Sequence, residues 1–96
     1  MSAVQIELED GPTGGRYVVR EDGAEAEMTF SKAGETMIII IDHTGVPEAL
    51  RHRGIGEAMV ERAVADMRGA GKKIMPLCPF AAAQFRKHSE WADVKA

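Results

Sequence analysis

The chain has 96 residues, of which 45% are hydrophobic, and its formal net charge at neutral pH is -3. This length predicts one domain over residues 1–96 with a single modest core. Mild acidity and scattered basic residues exclude an extended nucleic-acid footprint. The longest apolar run, Met37 to Ile41, is far shorter than the roughly 20 residues of a membrane span, and the N-terminus lacks a basic-then-apolar signal. We therefore expect no membrane association and a cytoplasmic location.

The first half of the chain alternates short β-like runs with turn signals. Val4–Leu8 alternates apolar and polar residues, and the glycine-rich residues 10–15 predict a turn. Two further runs, Arg16–Arg20 and Ala24–Ser31, predict antiparallel strands of a meander. The run Thr36–Ile41 is apolar on both faces, which predicts a central strand covered on each side.

The second half changes to a helical period. Apolar residues recur at spacings of three and four from Glu57 to Gly69, which predicts a helix with one side facing the core. Lys72–Leu77 is typical of a short strand bounded by prolines, and Phe80–His88 of a short helix whose first turn accepts Pro79. The predicted architecture is therefore α+β (α/β), with a mostly antiparallel central sheet of about five strands and two helices.

A glycine-containing turn, Arg51-His52-Arg53-Gly54-Ile55-Gly56, links the apolar strand to the first helix. Unpaired backbone N–H groups and a partial positive charge suit a helix N-terminus to a phosphate or pyrophosphate, and glycine lets the anion approach the backbone. Arg51 and Arg53 either add charge for the phosphates or are solvated residues flanking the turn. The turn matches neither the ATP-binding P-loop nor the dinucleotide fingerprint.

The order of elements and this turn resemble the GNAT acetyltransferase superfamily. The pyrophosphate loop of that superfamily reads Gln or Arg, two residues, Gly, any residue, Gly or Ala, and Arg51, Gly54 and Gly56 occupy those places. Three further segments are similar to a group of small, single-domain GNAT-like N-acetyltransferases: Asp42–Pro47, Pro76–Phe80 and His88–Asp93. The resemblance extends over residues 35–94. A minimal GNAT-like fold is implied.

The resemblance implies acetyl-coenzyme A as the ligand. Backbone amides of residues 52–57 would hold its pyrophosphate, and its pantetheine arm would lie between the strand ending near Val46 and the strand ending near Cys78. Backbone groups left free where two strands diverge suit the amides of such an arm. The cofactor-binding residues expected on this basis, with the aromatic ring as a wall of the cleft, are Val46, Arg51, His52, Arg53, Gly54, Ile55, Gly56, Glu57 and Phe80.

The resemblance also implies transfer of acetyl to an amine, either a small molecule or a protein lysine or N-terminus. Cys78, the one cysteine of the chain, would accept acetyl or protonate the departing thiolate, or is simply a small buried hydrophobe. His43 would act as a base or orient a neighbour, or is a hydrogen-bonded structural histidine. The histidines and Cys78 lack a compact metal-ligand spacing, so no metal site is expected.

One position departs from the family pattern. The related group commonly has an acidic residue where this chain has Gly45, and glycine cannot accept a proton. Glu48 either substitutes through water or is an ordinary exposed loop carboxylate. For this reason a coenzyme A binding or sensing module without catalysis stays the alternative to an N-acetyltransferase, and the sequence leaves the oligomeric state open.

Overall fold

The computed structural model describes residues 4–34 and 37–96. The described part contains one five-stranded sheet, in the order β1 (Glu7–Asp10), β2 (Gly14–Glu21), β3 (Ala24–Lys32), β4 (Ile38–Gly45) and β5 (Lys73–Pro76). Two α-helices accompany the sheet, α1 (Ile55–Ala70) and α2 (Pro79–Lys87), together with 3-10 helices at Glu48–Leu50 and Ser89–Val94. The predicted α+β class and the order of elements are confirmed.

The connections between strands explain the mixed sheet. β1 to β4 form an antiparallel meander, and β2 and β3 are joined by Asp22-Gly23, which have positive φ angles of 51° and 76°. An Asp-Gly pair favours such a turn because its twist matches that of the flanking strands. β5 instead pairs with β4 in parallel, and α1 supplies the crossover that a parallel pair requires.

Some predicted boundaries differ from the structure. β1 begins three residues later than predicted, at Glu7, and β2 already begins at Gly14, inside the predicted turn. β4 continues to Gly45, beyond the predicted end at Ile41, because β3 still offers it backbone partners there. The predicted start of this strand at Thr36 lies outside the described residues. The bounds of α1, β5 and α2 agree with prediction to within two residues.

The prediction that the apolar strand is central and covered on both faces was wrong. β4 lies between β3 and the edge strand β5. Ile39 and Ile41 are buried, but Ile38 and Ile40 are only half-buried. Isoleucine is favoured in strands for its shape as well as for its hydrophobicity, so an all-isoleucine run does not distinguish one covered face from two.

A single core joins all the helices to one face of the sheet. The buried cluster contains alternate residues of β2, β3 and β4 and a helical stripe of α1, together with residues of α2 and the C-terminal 3-10 helix, including Phe85 and Trp91. A hydrogen bond of 2.8 Å from the Tyr17 hydroxyl to Asp66 Oδ2 connects β2 to α1. No described helix has the length and apolar character required to cross a membrane.

The opposite face of the sheet, here called the open face, carries polar and charged side chains. Its described residues follow from strand alternation and their mutual contacts: Glu7, Glu9, Arg16, Val18, Arg20, Glu25, Glu27, Thr29, Ser31, Asp42, His43 and Gly45, with the half-buried Ile38 and Ile40 of β4 and with Lys73 and Met75 of β5 at the edge. Val18 is fully buried although it belongs to this face. Glu7 and Glu27 lie directly opposite it on the flanking strands, and the stems of long charged side chains cover apolar surface efficiently.

Two glycines test the packing of the fold. A Cβ on Gly14 would lie 2.4 Å from the carbonyl oxygen of Phe30, whereas a Cβ on Gly69, near the end of α1, would meet no atom within 4 Å. We expect Gly14→Ala to destabilise the protein by about 1–3 kcal/mol, and Gly69→Ala to stabilise it by about 0.5–1 kcal/mol through helix propensity. Urea denaturation measures both, and equal stabilities of the two variants would contradict the strand packing.

Candidate active site

β4 and β5 diverge at one end of the sheet. Their last register pair is Ile41 with Pro76, after which β4 runs on to Gly45 while β5 stops. Pro76 has no N–H, and the Cys78 N–H bonds back to the carbonyl of Ile41 at 3.0 Å. The chain then enters α2 and leaves the sheet. A gap therefore opens beside the last residues of β4.

A β-bulge sets which side chains face this gap. Phe30 of β3 pairs with Ile41, but Thr29 pairs with His43, so Asp42 is an extra residue in β4. The insertion reverses the alternation of the strand beyond it. Thr44, opposite core-facing Met28, consequently points to the same side as the helices, and His43 points to the open face.

Cys78 and Thr44 meet across the gap. The Cys78 thiol donates a hydrogen bond to Thr44 Oγ1 at 3.4 Å, and the cysteine is only 5% exposed. Cys78 is also the N-cap residue of α2 and precedes Pro79 at the first helical position. The thiol is thus held between a hydroxyl and the positive end of a helix.

These surroundings make the Cys78 thiol more acidic. Burial raises its pKa, but the side-chain hydrogen bond with Thr44 and the backbone N–H groups of Ala81 and Phe80 lower it by more, so the net pKa lies below the usual value for cysteine. A hydroxyl can reverse its bond and donate to a thiolate, which explains the direction of the Thr44 effect. Cys78 also belongs to the buried core cluster, so it packs as a small buried residue and makes a polar contact as well.

The N-terminus of α1 supplies the second half of the site. Gly54 is its N-cap residue, with a φ of 72°, and the first intrahelical bond runs from the N–H of Ala58 to the carbonyl of Gly54. The backbone N–H groups of residues 55–57 come before this bond and therefore have no carbonyl partner within the helix. A Cβ at Gly54 would meet no atom within 4 Å, so a ligand can approach the backbone directly.

A cleft of about 360 Å³ connects the helix N-terminus to the gap between the strands. It brings together eight of the nine predicted cofactor-binding residues and two further ones: Val46, Arg51, His52, Gly54, Ile55, Gly56, Glu57 and Phe80, with Thr44 and Leu50. Leu50 is fully buried and anchors the 3-10 turn beneath the cleft. Sequence analysis missed Thr44 because a bulge leaves no clear signal in a sequence.

The two arginines of the turn have different surroundings. Arg53 is drawn away to the β2–β3 turn, where its Nη1 lies 2.8 Å from Asp22 Oδ2 and 3.2 Å from Glu21 Oε1. Arg53 is not one of the described residues that line the cleft. Arg51 does line it, while its Nε donates to the carbonyl of Val46 at 3.3 Å. Its Nη1 also lies 3.7 Å from the carboxylate of exposed Glu48, and Arg51 is therefore the arginine of the turn that borders the cleft.

Phe80 forms the wall of the cleft on the α2 side. A Cβ on Gly56 would lie 2.7 Å from the Phe80 Cζ atom, so the absence of a side chain there lets the ring pack on the first turn of α1. The second glycine of the turn thus serves aromatic packing, while the first keeps the backbone accessible.

His43 lies on the other side of β4 from the cleft. It is exposed and makes no hydrogen bond or ion pair with any residue that the structure describes, so the interpretation as a hydrogen-bonded structural histidine was wrong. A Cβ at Gly45 would lie 3.0 Å from His43 Nε2. The imidazole therefore occupies space beside the position at which the strand lacks a side chain.

Comparisons with known proteins agree with this geometry. The sequence profile of the family described as GCN5-related N-acetyltransferase matches residues 16–94. The chain belongs to this family. The solution NMR structure of a GCN5-like protein from Staphylococcus aureus, proposed to be an N-acetyltransferase, is 29% identical, with a TM-score of 0.71 over 94% of this chain and 87% of that chain. None of the curated proteins compared with the chain matches it.

Membership of the GNAT family supports acyl transfer as the class of chemistry. The N-terminus of α1 and the last residues of β4 border the same cleft, which is therefore the candidate site for this chemistry. The predicted minimal GNAT-like fold is confirmed by the profile match and by the structural neighbour.

The acidity of Cys78 can be measured directly, because the chain has one cysteine. We expect its thiolate absorbance to appear at a lower pH than for a free cysteine, and Thr44→Val to move the titration to higher pH by removing the hydroxyl. Ultraviolet absorbance against pH provides the measurement, with Cys78→Ser as the blank. Tyr17 does not interfere, since burial and its bond to Asp66 raise its pKa. An unchanged titration in Thr44→Val would contradict the proposed hydrogen bond.

Proposed function

We propose that this protein transfers an acetyl group from acetyl-coenzyme A to an amine. The observation that carries the proposal is one continuous cleft, which joins the N-terminus of α1 to Thr44, the residue whose hydroxyl contacts Cys78. Family membership supports the same class of reaction. The alternative is a module that binds coenzyme A without catalysis, and it rests on the missing carboxylate at Gly45.

The residues present fit the ligand at both ends of the cleft. The backbone N–H groups of Ile55, Gly56 and Glu57 would hold the pyrophosphate, since a helix N-terminus favours a negative charge. Arg51 would add a cation beside them. Backbone groups of β4 that have no partner in the β4–β5 register, beyond Ile41, would accept the pantetheine amides. Bound acetyl-coenzyme A would supply an activated thioester carbonyl.

Two side chains are suited to the proton transfers. His43 would accept a proton from the incoming amine, because its imidazole is exposed and uncommitted within the described residues. Cys78 would donate a proton to the departing thiolate, because its own lowered pKa favours that transfer. The two residues lie on opposite sides of β4, so the base and the acid would approach the transfer from opposite sides of that strand.

Acetyl-coenzyme A binding can be tested with a matched pair of glycine variants. Gly54 and Gly71 cap opposite ends of α1, both have a φ of 72°, and a Cβ at either would meet no atom within 4 Å. Both Gly→Val changes therefore impose similar backbone strain. We expect Gly54→Val to weaken binding roughly tenfold or more by obstructing the backbone N–H groups, and Gly71→Val to leave it unchanged.

Calorimetric titration with acetyl-coenzyme A, coenzyme A and ATP provides the measurement. Saturable binding of the first two, and loss in Gly54→Val alone, supports the cleft as the coenzyme site. Equal affinities in the two variants would place the pyrophosphate elsewhere, and a folded wild type that does not bind acetyl-coenzyme A would remove both the enzyme and the binding module.

Catalysis by His43 can be tested by loss and rescue. We expect His43→Ala to lower kcat by about a hundredfold, because a general base contributes roughly 10²–10⁴ in rate, with little change in KM for acetyl-coenzyme A. Adding Gly45→Glu to His43→Ala should restore part of kcat, since a carboxylate at position 45 enters the space that the imidazole vacates.

Coenzyme A release with a lysine peptide as acceptor measures these rates. The dependence of kcat on pH distinguishes catalysis by the carboxylate introduced at position 45 from catalysis by the imidazole of His43. Full activity in His43→Ala would exclude this histidine as the base. Coenzyme A release at the uncatalysed rate by the wild type, across a broad set of amines and peptides, would favour the binding module instead.

A further inference from the structure

We propose that the open face of the sheet docks a basic peptide segment and presents its lysine to His43 beside Gly45. This proposal rests on the proposed function and deepens it by naming the acceptor class. The occupant is an extended, arginine- or lysine-flanked lysine on another protein. Three observations carry it: the charge of the face, the groups around Gly45, and the position of this face relative to the cleft.

The charge of the open face is strongly one-sided. Over β1 to β4, five carboxylates of the described residues lie on this face, and two guanidinium groups compensate them: Glu7, Glu9, Glu25, Glu27 and Asp42, with Arg16 and Arg20. Lys73 of the edge strand β5 is directed to the carbonyl of Asp93 instead. The resulting excess of three negative charges equals the formal net charge of the whole chain, so the remaining residues balance one another. A surface of this kind attracts a cationic segment and repels nucleic acid.

Each of the two arginines contacts three carboxylates. Arg16 lies 2.7–2.8 Å from carboxylates of Glu9, Glu25 and Glu27, and Arg20 lies 2.6–3.1 Å from those of Glu7, Glu9 and Glu25. Four carboxylates thus divide two cations, and each carboxylate has acceptor sites to spare. The same excess disfavours a second copy of the chain as the occupant, because two such faces would repel each other.

The groups around Gly45 suit the side chain of a lysine. Glu27 is the direct cross-strand partner of Gly45, and its carboxylate, which lies 2.7 Å from Arg16 Nη1, has acceptor sites to spare for a second cation. His43 Nε2 lies 3.0 Å from where a Cβ on Gly45 would be. A carboxylate can receive the ammonium group, and the imidazole can take its proton before transfer.

The open face lies on the side of β4 opposite the cleft, and it is wide enough for a short extended peptide. The helices cover the other face, where the coenzyme cleft opens, so an acceptor on the open face reaches β4 from the opposite side. Four strands from β1 to β4 span about 14 Å at the usual strand spacing, which an extended peptide crosses in about four or five residues. Basic residues flanking a lysine would therefore lie over the glutamates of β1 to β3.

The test uses three synthetic peptides of equal length, each with a blocked N-terminus and one central lysine. The flanking residues are arginine in the first, serine in the second and glutamate in the third. Fluorescence anisotropy without acetyl-coenzyme A measures docking alone, and coenzyme A release measures kcat and KM. We expect affinity and kcat/KM to fall from the arginine to the serine to the glutamate peptide, by roughly three- to tenfold per step, and the preference to shrink at high salt.

A matched pair of variants locates the docking surface. Glu25→Gln with Glu27→Gln should weaken binding of the arginine peptide roughly three- to tenfold and raise its KM. Glu61→Gln with Glu90→Gln changes the net charge equally on the helical side and should leave both unchanged. Glu27→Asp keeps the charge and should retain most of the affinity. Thermal melting checks that all variants are folded.

The possible outcomes are separable. Equal binding of the three peptides, or an equal loss in the two double variants, overturns the docking proposal. A higher kcat/KM for spermidine than for the arginine peptide also overturns it, in favour of a small polyamine acceptor. Absence of acetyl-coenzyme A binding refutes the proposed function, whereas the anisotropy measurement still decides whether the open face binds basic peptides.

Discussion

The divergence of β4 from β5 is the constraint on which the rest of the site depends. Parallel pairing ends at Ile41 and Pro76 because proline removes a backbone donor and the chain turns into α2. That turn places Cys78 at the start of a helix and across a gap from Thr44. Without the divergence the cleft would close against the sheet, and the N-terminus of α1 would face no continuous channel.

The bulge at Asp42 decides which side chains at the end of β4 face each side of the sheet. On one side Thr44 reaches the cysteine, and on the other His43 stands beside Gly45 on the open face. Regular alternation would also place neighbouring residues on opposite faces, but it would reverse which residue meets the core beyond Ile41. The inserted residue therefore places the hydroxyl on the cleft side of β4 and the imidazole on the open face.

The glycines of the chain act through the space they leave. Gly54 exposes the helix N-terminus to a ligand, Gly56 receives the ring of Phe80, and Gly45 makes room for the imidazole. His43, two residues away on the same strand face, occupies the space that a side chain at position 45 would enter.

The order of elements, the apolar stripe of α1 and the glycine turn could be predicted from the amino-acid sequence, because they depend on local periodicity and on backbone preferences within a few residues. The sequence also pointed to eight residues that share one cleft. Only the tertiary structure decided the rest. The bulge that orients Thr44, the diversion of Arg53 to Asp22 and the exposure of His43 all depend on contacts between segments distant in the chain. Such contacts are set by strand register and by ion pairing after folding, and neither leaves a local pattern to be recognised.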